Sequence, residues 1–468
     1  MAQADDTWSA NANDAFEISL VKPSSSGLKT LAKFNPKFTY PIFGDDESIF
    51  GYQGLKINLR YHANDMRPNL DIAYNKKFKA IGETEAADIH QILKDFLPEV
   101  AFQRAADFEN AIKSVPKDWA PPGTRLKDVE ATDGEYSVWY GSLADPAIKQ
   151  MVQRIQILVP LFIEGGSFIG TDDSDSADRW TVFFMFRKRH VLGADDEFSY
   201  EFVGYSTVYR FFLYRPHAAS KEAPTLDFEL PKGDFSLAEL PCRTRISQFV
   251  ILPPFQGKGN AARLYSTIFT HYLENAQTVE ITVEDPNEAF DDLRDLTDLA
   301  FLRRDPEFNQ IRIDTSVKIP KKGPAPRTIV DPSKLETLRQ RTKIAPRQFA
   351  RVVEMQLLSK LPEAVRPSLE QEPSKEQGTA EQHHEYQLWR LWVKQRIYRQ
   401  NKEILSQLDR SERIDKLEET LSSVELEYLR LLGMFEHRGR HETSANGKRK
   451  LEVRTEGGSS KKARLEAA

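Results

Sequence analysis

The sequence predicts an α+β protein in three parts: a mixed N-terminal domain, a central core built on a mixed sheet, and a helical C-terminal region. Three observations lead there. Leu55, Ile57, Leu59 and Tyr61 alternate with Lys56, Asn58, Arg60 and His62, the two-residue period of a half-buried strand. Residues 179–187 (RWTVFFMFR) and 201–214 (EFVGYSTVYRFFLY) are dense in aromatic and β-branched side chains and read as further strands. From 333 to 435 the spacing is helical. There Leu417, Leu421, Val424, Tyr428 and Leu431 alternate steps of four and three, the seam of a helix–helix contact.

Taken in order, residues 1–12 are polar and expected to be disordered. The mixed domain spans 13–135; Leu70, Ile72 and Tyr74 continue its strand period, and between 86 and 111 the spacing turns helical. The core spans 136–318. Within it, 171–178 (TDDSDSAD) is too polar for a strand or helix and reads as a loop, and 215–241, with four prolines, loops out of the sheet. Residues 245–252 (RISQFVIL) form a strand stopped by Pro253 and Pro254. A turn and an amphipathic helix follow, with Ala261, Leu264, Ile268 and Tyr272 on its apolar face and Tyr265 and Phe269 alongside. Residues 278–283 (TVEITV) form the next strand. Asp285, Pro286 and Glu288 resemble the N-cap, N1 and N3 of another helix, which is expected to bury Phe290, Leu293, Leu296 and Phe301. A Pro/Lys-rich linker at 319–332 leads to the helical domain, 333–436, divided by a Glu/Pro/Gln-rich break at 362–382. The tail, 437–468, is basic and expected to be disordered.

Composition narrows the function. The longest apolar run, 157–163, is seven residues, whereas a membrane-spanning helix needs about 18, so no membrane role is expected. The N-terminal MAQADDTWSA has no basic or apolar stretch of a secretory signal. The single cysteine, Cys242, excludes an internal disulfide and a four-cysteine zinc site, which suits a reducing intracellular setting. His383 and His384 lack metal-ligand partners at useful spacing, so no metal is expected. A net charge of −5 argues against a protein that coats nucleic acid, and no sequence-specific nucleic-acid contact is expected. Residues 436–468 carry a net +4, which leaves −9 on the rest, a body suited to basic ligands. Within that tail, Lys448-Arg449-Lys450 and Lys461-Lys462-Ala463-Arg464 read as a split nuclear localisation signal, implying residence in both cytoplasm and nucleus.

The strand–turn–helix at 245–272 carries the chemistry. Glycines let a backbone approach an anion closely, and the free N–H groups of a first helical turn point at its oxygens. Gln256, Gly257, Lys258, Gly259, Asn260, Ala261 and Ala262 supply such a turn. The P-loop pattern is absent. A dinucleotide fingerprint fits in letters through Gly257, Gly259, Ala262 and Glu280, but Pro253, Pro254 and Phe255 separate strand from glycines and no repeated βαβ units follow.

In context, Gln256 to Ala261 resembles the Q/R-x-x-G-x-G/A turn of the Gcn5-related N-acetyltransferases. Together with RISQFVILPPFQGKGNAARLY, VEITVEDPNEAFDDLRD and, near the N-terminus, FGDDESIFGYQGLKI, it resembles the catalytic subunit of type B histone acetyltransferases over residues 16–361. The resemblance implies an N-terminal histone-binding domain and an acetyltransferase core that uses acetyl-CoA. It implies that Phe249, Val250 and Ile251 lie along the cofactor arm, that Gln256 to Ala262 bind its pyrophosphate, and that Asn287 adds a contact. Glu284 corresponds to the general base. Asp45, Asp46, Glu47, Trp180, Tyr209 and Phe211 match positions lining a histone-tail groove, to which the acidic loop at 172–178 adds field. Some relatives carry a cofactor-contacting arginine where this chain has Leu296, with Arg294 nearby. A WD-repeat β-propeller histone chaperone is the implied partner, with the 215–241 loop and the C-terminal helices as docking surfaces.

The residues support this chemistry by themselves. A lysine ammonium, pKa about 10.4, becomes nucleophilic only when deprotonated. A strand-end carboxylate beside the cleft, partly desolvated, is a suitable base, and Glu284 holds that place in the chain order; the plainer reading is that it caps the next helix. Judged on pattern alone, Asp45, Asp46 and Glu47 are surface-turn residues and the aromatics core residues. A covalent route through Cys242 lacks a nearby histidine, so direct transfer in a ternary complex is favoured. Two other functions compete: a non-catalytic histone-binding assembly factor with a relict cleft, and a nicotinamide-dependent oxidoreductase, which requires a doubly wound parallel sheet.

Overall fold

A computed structural model of the chain describes residues 8–25, 27–171, 174–190, 198–213, 240–320, 325–368 and 378–456, the side chains of 438–456 excepted. It comprises two units, Met1–Asp285 and Pro286–Ala468.

The first unit opens with β1 (Ser9–Asn11), paired to β4 (Ser48–Phe50), and the single turn α1 (Ala12–Ala15), whose N-cap Asn11 accepts the Asp14 N–H. Residues 8–12, expected to be disordered, are thus ordered: Trp8 O accepts the Gly51 and Tyr52 N–H groups and Ala12 is fully buried. A hairpin, β2 (Phe16–Ser24) and β3 (Gly27–Phe34), joins β6 (Lys56–His62) and β7 (Pro68–Ala73) in the order β3-β2-β6-β7. The alternation read from the sequence buries Leu55, Ile57, Leu59 and Tyr61. Short elements surround this sheet: α2 (Tyr40–Phe43), β5 (Tyr52–Gln53) paired with β8 (Lys76–Lys77), α3 (Ile89–Lys94) and α4 (Ala105–Lys113).

The second sheet has six strands: β9 (Thr124–Ala131), β10 (Gly134–Ser142), β11 (Trp180–His190), β12 (Phe198–Phe212), β13 (Cys242–Ile251) and β14 (Thr278–Val283). They lie side by side in sequence order, antiparallel except for the β13–β14 pair. The domain boundary expected at 135/136 falls inside the β9–β10 hairpin, so the mixed domain and the core form one unit. Between β10 and β11 run α5 (Pro146–Ile155) and α6 (Leu158–Phe162). The apolar run 157–163 supplies core, with Ile157, Leu158, Val159 and Leu161 fully buried. The expected loop at 171–178 contains one short helical turn, α7 (Ser174–Ala177). Helix α8 (Asn260–Glu274) connects β13 to β14 and buries Leu264, Tyr265, Ile268, Phe269 and Tyr272 as its spacing predicts.

The second unit is helical: α9 (Glu288–Leu302), α10 (Pro306–Gln310), α11 (Pro332–Thr342), α12 (Pro346–Lys360), α13 (Ala380–Gln400), α14 (Lys402–Leu405) and α15 (Arg410–Glu456). Helix α9 differs from expectation at both cap and face. Asn287, not Asp285, is its N-cap, and Asp285 sits at φ +33°. Of Phe290, Leu293, Leu296 and Phe301 only Leu296 is buried; Arg294, Asp295, Asp298, Leu299 and Leu302 take the inner face. Partners explain the buried carboxylates, since Gln348 Nε2 donates to Asp295 (2.9 Å) and Asp298 (3.0 Å), and Arg351 pairs with Asp295 at 2.6 Å. The linker at 319–332 is not wholly solvated either: Ile329 and Val330 are buried and Ile329 O accepts the Asp314 N–H. Leu421, Tyr428 and Leu431 of the α15 seam are fully buried, and α15 packs on α13. The helix continues through 437–456, where disorder was expected. Residues 215–239 of the 215–241 excursion, 369–377 of the 362–382 break and the second basic cluster at 461–464 lie outside the described residues.

Candidate active site

The site begins where a sheet ladder stops. β13 and β14 run parallel from Cys242↔Thr278 to Ile246↔Val283, and the Glu284 N–H to Ile246 O bond, 2.9 Å, closes the ladder. Beyond it, Ser247 sits at a register shift and 248–251 pair with β12 alone. Phe249, Val250 and Ile251 therefore occupy the stretch of β13 that has lost its β14 neighbour, an edge on which an extended ligand can lie.

The turn that follows is fixed by its own side chains. Gln256 Nε2 donates to Ile251 O (2.7 Å), Asn260 Nδ2 to Phe255 O (3.0 Å), and Arg263 to Lys258 O (2.7 Å) and Asn260 Oδ1 (2.9 Å). Gly257 and Gly259 hold φ +71° and +78°, a region costly for residues with a Cβ. Gly259 is the N-cap and offers no side chain, so the first bond of α8 is Arg263 N–H to Gly259 O at 3.1 Å. Among the described residues no acceptor engages the N–H groups of Asn260, Ala261 or Ala262. Three N–H groups at an uncapped helix start, with the Lys258 ammonium nearby, form a place for an anion. That ammonium itself donates to Pro254 O at 2.9 Å.

Glu284 stands at the end of β14. Its carboxylate accepts from the Ser247 hydroxyl and pairs with Arg245 at 3.2 Å. The side chain is 42% exposed. Arg245 connects it to an aromatic row. The Arg245 guanidinium lies 4.3 Å from the Phe211 ring centre, Phe211 is 4.7 Å from Tyr209, and Tyr209 4.7 Å from Trp180. Register explains the row, because Trp180, Tyr209 and Arg245 are direct cross-strand neighbours on β11, β12 and β13. Sequence reading missed Arg245 and Ser247; the available signal was their alternation with buried Ile246 and Gln248 in RISQF.

Other candidates divide. Asp45 and Asp46 are exposed, but Glu47 turns inward at φ +46°. Its carboxylate accepts from Asn13 Nδ2 (2.6 Å), Thr39 N (2.8 Å) and Tyr40 N (3.1 Å), which makes it a cap for α2. Those bonds, Thr39 N–H foremost, hold its carboxyl below the usual range. Asn287 belongs to the second unit, where its Oδ1 accepts the Phe290 N–H at 2.9 Å; its cofactor role rests on the resemblance alone. Leu296 is buried, and Arg294, also buried, lies 3.9 Å from Asp298 on the same helix. Cys242 is 1% exposed, near Thr244 and Thr278 hydroxyls, a poor place for a nucleophile. Glu280 pairs with Arg243 at 2.9 Å, and one parallel pair in an otherwise antiparallel sheet is not a doubly wound dinucleotide fold. Among the described residues no group of three or more His, Cys, Asp or Glu is placed to hold a metal, and no helix is long and apolar enough to cross a membrane.

The β13–α8–β14 crossover with its glycine turn is the arrangement expected of an acetyltransferase of the Gcn5-related type. Residues 8–164 match the family described as histone acetyl transferase HAT1 N-terminus, and 318–362 match fungal HAT1, C-terminal. The histone acetyltransferase type B catalytic subunit of Gibberella zeae is 54% identical over 98% of this chain and 99% of its own length. That of Pyricularia oryzae is 53% identical over 100% of both, and that of Neurospora crassa 48% identical over 99% of both. The chain belongs to the family of type B histone acetyltransferase catalytic subunits, and it is a histone acetyltransferase. A solved aminoglycoside acetyltransferase from a soil metagenome is 13% identical over 41% of this chain and 95% of its own, with a TM-score of 0.21.

Proposed function

We propose that the protein transfers acetyl from acetyl-CoA to lysine side-chain amines in the N-terminal tail of newly made histone H-four, by direct attack in a ternary complex with Glu284 as general base. The observation that carries this reading is the uncapped start of α8 beside the open stretch of β13, with Glu284 at the end of the neighbouring strand. The N–H groups of Asn260, Ala261 and Ala262 take the diphosphate, and Phe249 to Ile251 take the pantetheine along the strand edge. The substrate ammonium gives its proton to Glu284, and the amine attacks the thioester carbonyl. The tetrahedral adduct then expels CoA as thiolate, which takes the remaining ammonium proton of the adduct nitrogen and leaves a neutral amide and CoA thiol.

Arg245 occupies a cation's place against Phe211 and Glu284, and the substrate lysine displaces it. Exposed pairs of this kind are worth about 0–1 kcal/mol, so the exchange is cheap. Trp180 and Tyr209 extend an aromatic wall suited to a cationic tail, and Asp45 and Asp46 add negative charge. A WD-repeat chaperone is the proposed partner. Loading of new histones in the cytoplasm followed by nuclear entry fits the basic tail.

Mass spectrometry of a histone H-four tail peptide incubated with pure protein and acetyl-CoA tests the reading. It expects a gain of one acetyl on a lysine, lost in E284Q. Unmodified peptide, together with no acetyl-CoA binding in a calorimetric titration, contradicts it and favours an assembly factor.

A further inference from the structure

The second unit holds a groove of about 750 Å³ formed by α11, α12, α13 and the segment before α11. Its floor includes buried Phe349 and half-buried Trp392, and its rim carries Arg327, Arg339 and Arg399 against the single carboxylate Glu336. Glu336 is already satisfied: Arg339 donates to its two oxygens at 2.8 and 2.6 Å and holds the carboxyl down to about 2. Arg327 and Arg399 are exposed and have no ion pair among the described residues; Arg399 Nε donates to Gln395 O at 3.1 Å. The imbalance extends beyond the groove. Residues 318–362 carry eleven Lys and Arg against three Asp and Glu, a net +8 in a chain whose total is −5.

Charge alone would be served by a flat basic face. Here two unpaired guanidinium groups stand over a concave apolar floor, and the volume falls within the roughly 300–1,000 Å³ of ligand clefts. A phosphate ion would leave Phe349 and Trp392 unused, and a nucleic-acid strand would need a basic track longer than one cleft. The geometry points to a docking site for an acidic peptide segment of a partner protein, which seats one bulky apolar side chain over Trp392 and Phe349 and sets its carboxylates against Arg327 and Arg399. Guanidinium favours such carboxylates through paired N–H donors. The site uses neither α8 nor Glu284, so it stands independently of the transfer chemistry.

Fluorescence anisotropy tests this with full-length protein and a fluorescein-labelled dodecapeptide of Asp and Glu carrying one central Phe. The expected result is binding that weakens at least about ten-fold in R327E/R399E, in W392A, and when the peptide's Phe becomes Ser, and that falls as salt rises. Undetectable binding, equal binding by the Ser peptide, or indifference to R327E/R399E overturns the proposal. Displacement of the peptide by an equally long single-stranded oligonucleotide at lower concentration also overturns it, in favour of nucleic acid. Both arginines are exposed, so the double reversal keeps the test valid if W392A fails to fold. Acetyl transfer to free tail peptide is expected to be unchanged in R327E/R399E.

Discussion

Ser247 and Arg245 hold the two oxygens of Glu284, and substitution separates their roles. Ser247→Ala removes a donor that orients the carboxylate. About a ten-fold fall in kcat is expected, with KM for acetyl-CoA unchanged, readable in steady-state assays. Glu47→Gln tests a structural carboxylate instead. Because the folded carboxyl lies below its ordinary 4.5, its contribution is present above that pH and lost as pH falls through the folded value. Urea denaturation should therefore show E47Q less stable at pH 7 and with a flatter acid limb than the parent; identical profiles would contradict the assignment. Gly257, Gly259 and Glu284 were legible because strand, turn and helix follow one another along the chain. Glu47 was not, because its partners Asn13 and Thr39 are 34 and 8 residues away and only the fold brings them together. Arg245 and Ser247 read as ordinary outward strand residues until β14 supplies Glu284.

Elements were most legible where one period dominates. β14 and the buried face of α8 match their patterns, whereas α9 does not, since Asp295 and Asp298 face Gln348 and Arg351 of α12, partners that periodicity cannot reveal. Gly259→Ala forces a Cβ into φ +78° at the start of α8. It should cost about 1 kcal/mol in thermal denaturation and raise KM for acetyl-CoA, because the same turn presents the N–H groups. In the second unit Glu354 accepts from Arg396 at 2.7 and 2.8 Å and from Tyr428 at 2.8 Å, tying α12 to α13 and α15. Glu354→Gln leaves the largely covered Arg396 guanidinium without its carboxylate and should lower stability by roughly 3 kcal/mol, measured as a shift in urea midpoint.

At the scale of the whole molecule, three sequence regions became two units. The β9–β10 hairpin crosses the expected boundary, and edge strands such as β9 (TRLKDVEA) carry too little apolar signal to be found beforehand. Charge is partitioned likewise, with a net-acidic chain holding a strongly basic stretch at 318–362. The central claim joins three parts of the first unit: a helix start that grips the cofactor, a strand edge that carries it, and a carboxylate that takes the proton. The pH dependence of kcat/KM for tail peptide, compared between the parent and E284Q, tests it most directly. The account predicts a fall of at least about a hundred-fold in E284Q together with loss of the ascending limb assigned to the base. An E284Q enzyme with parental turnover and an unchanged profile would contradict it.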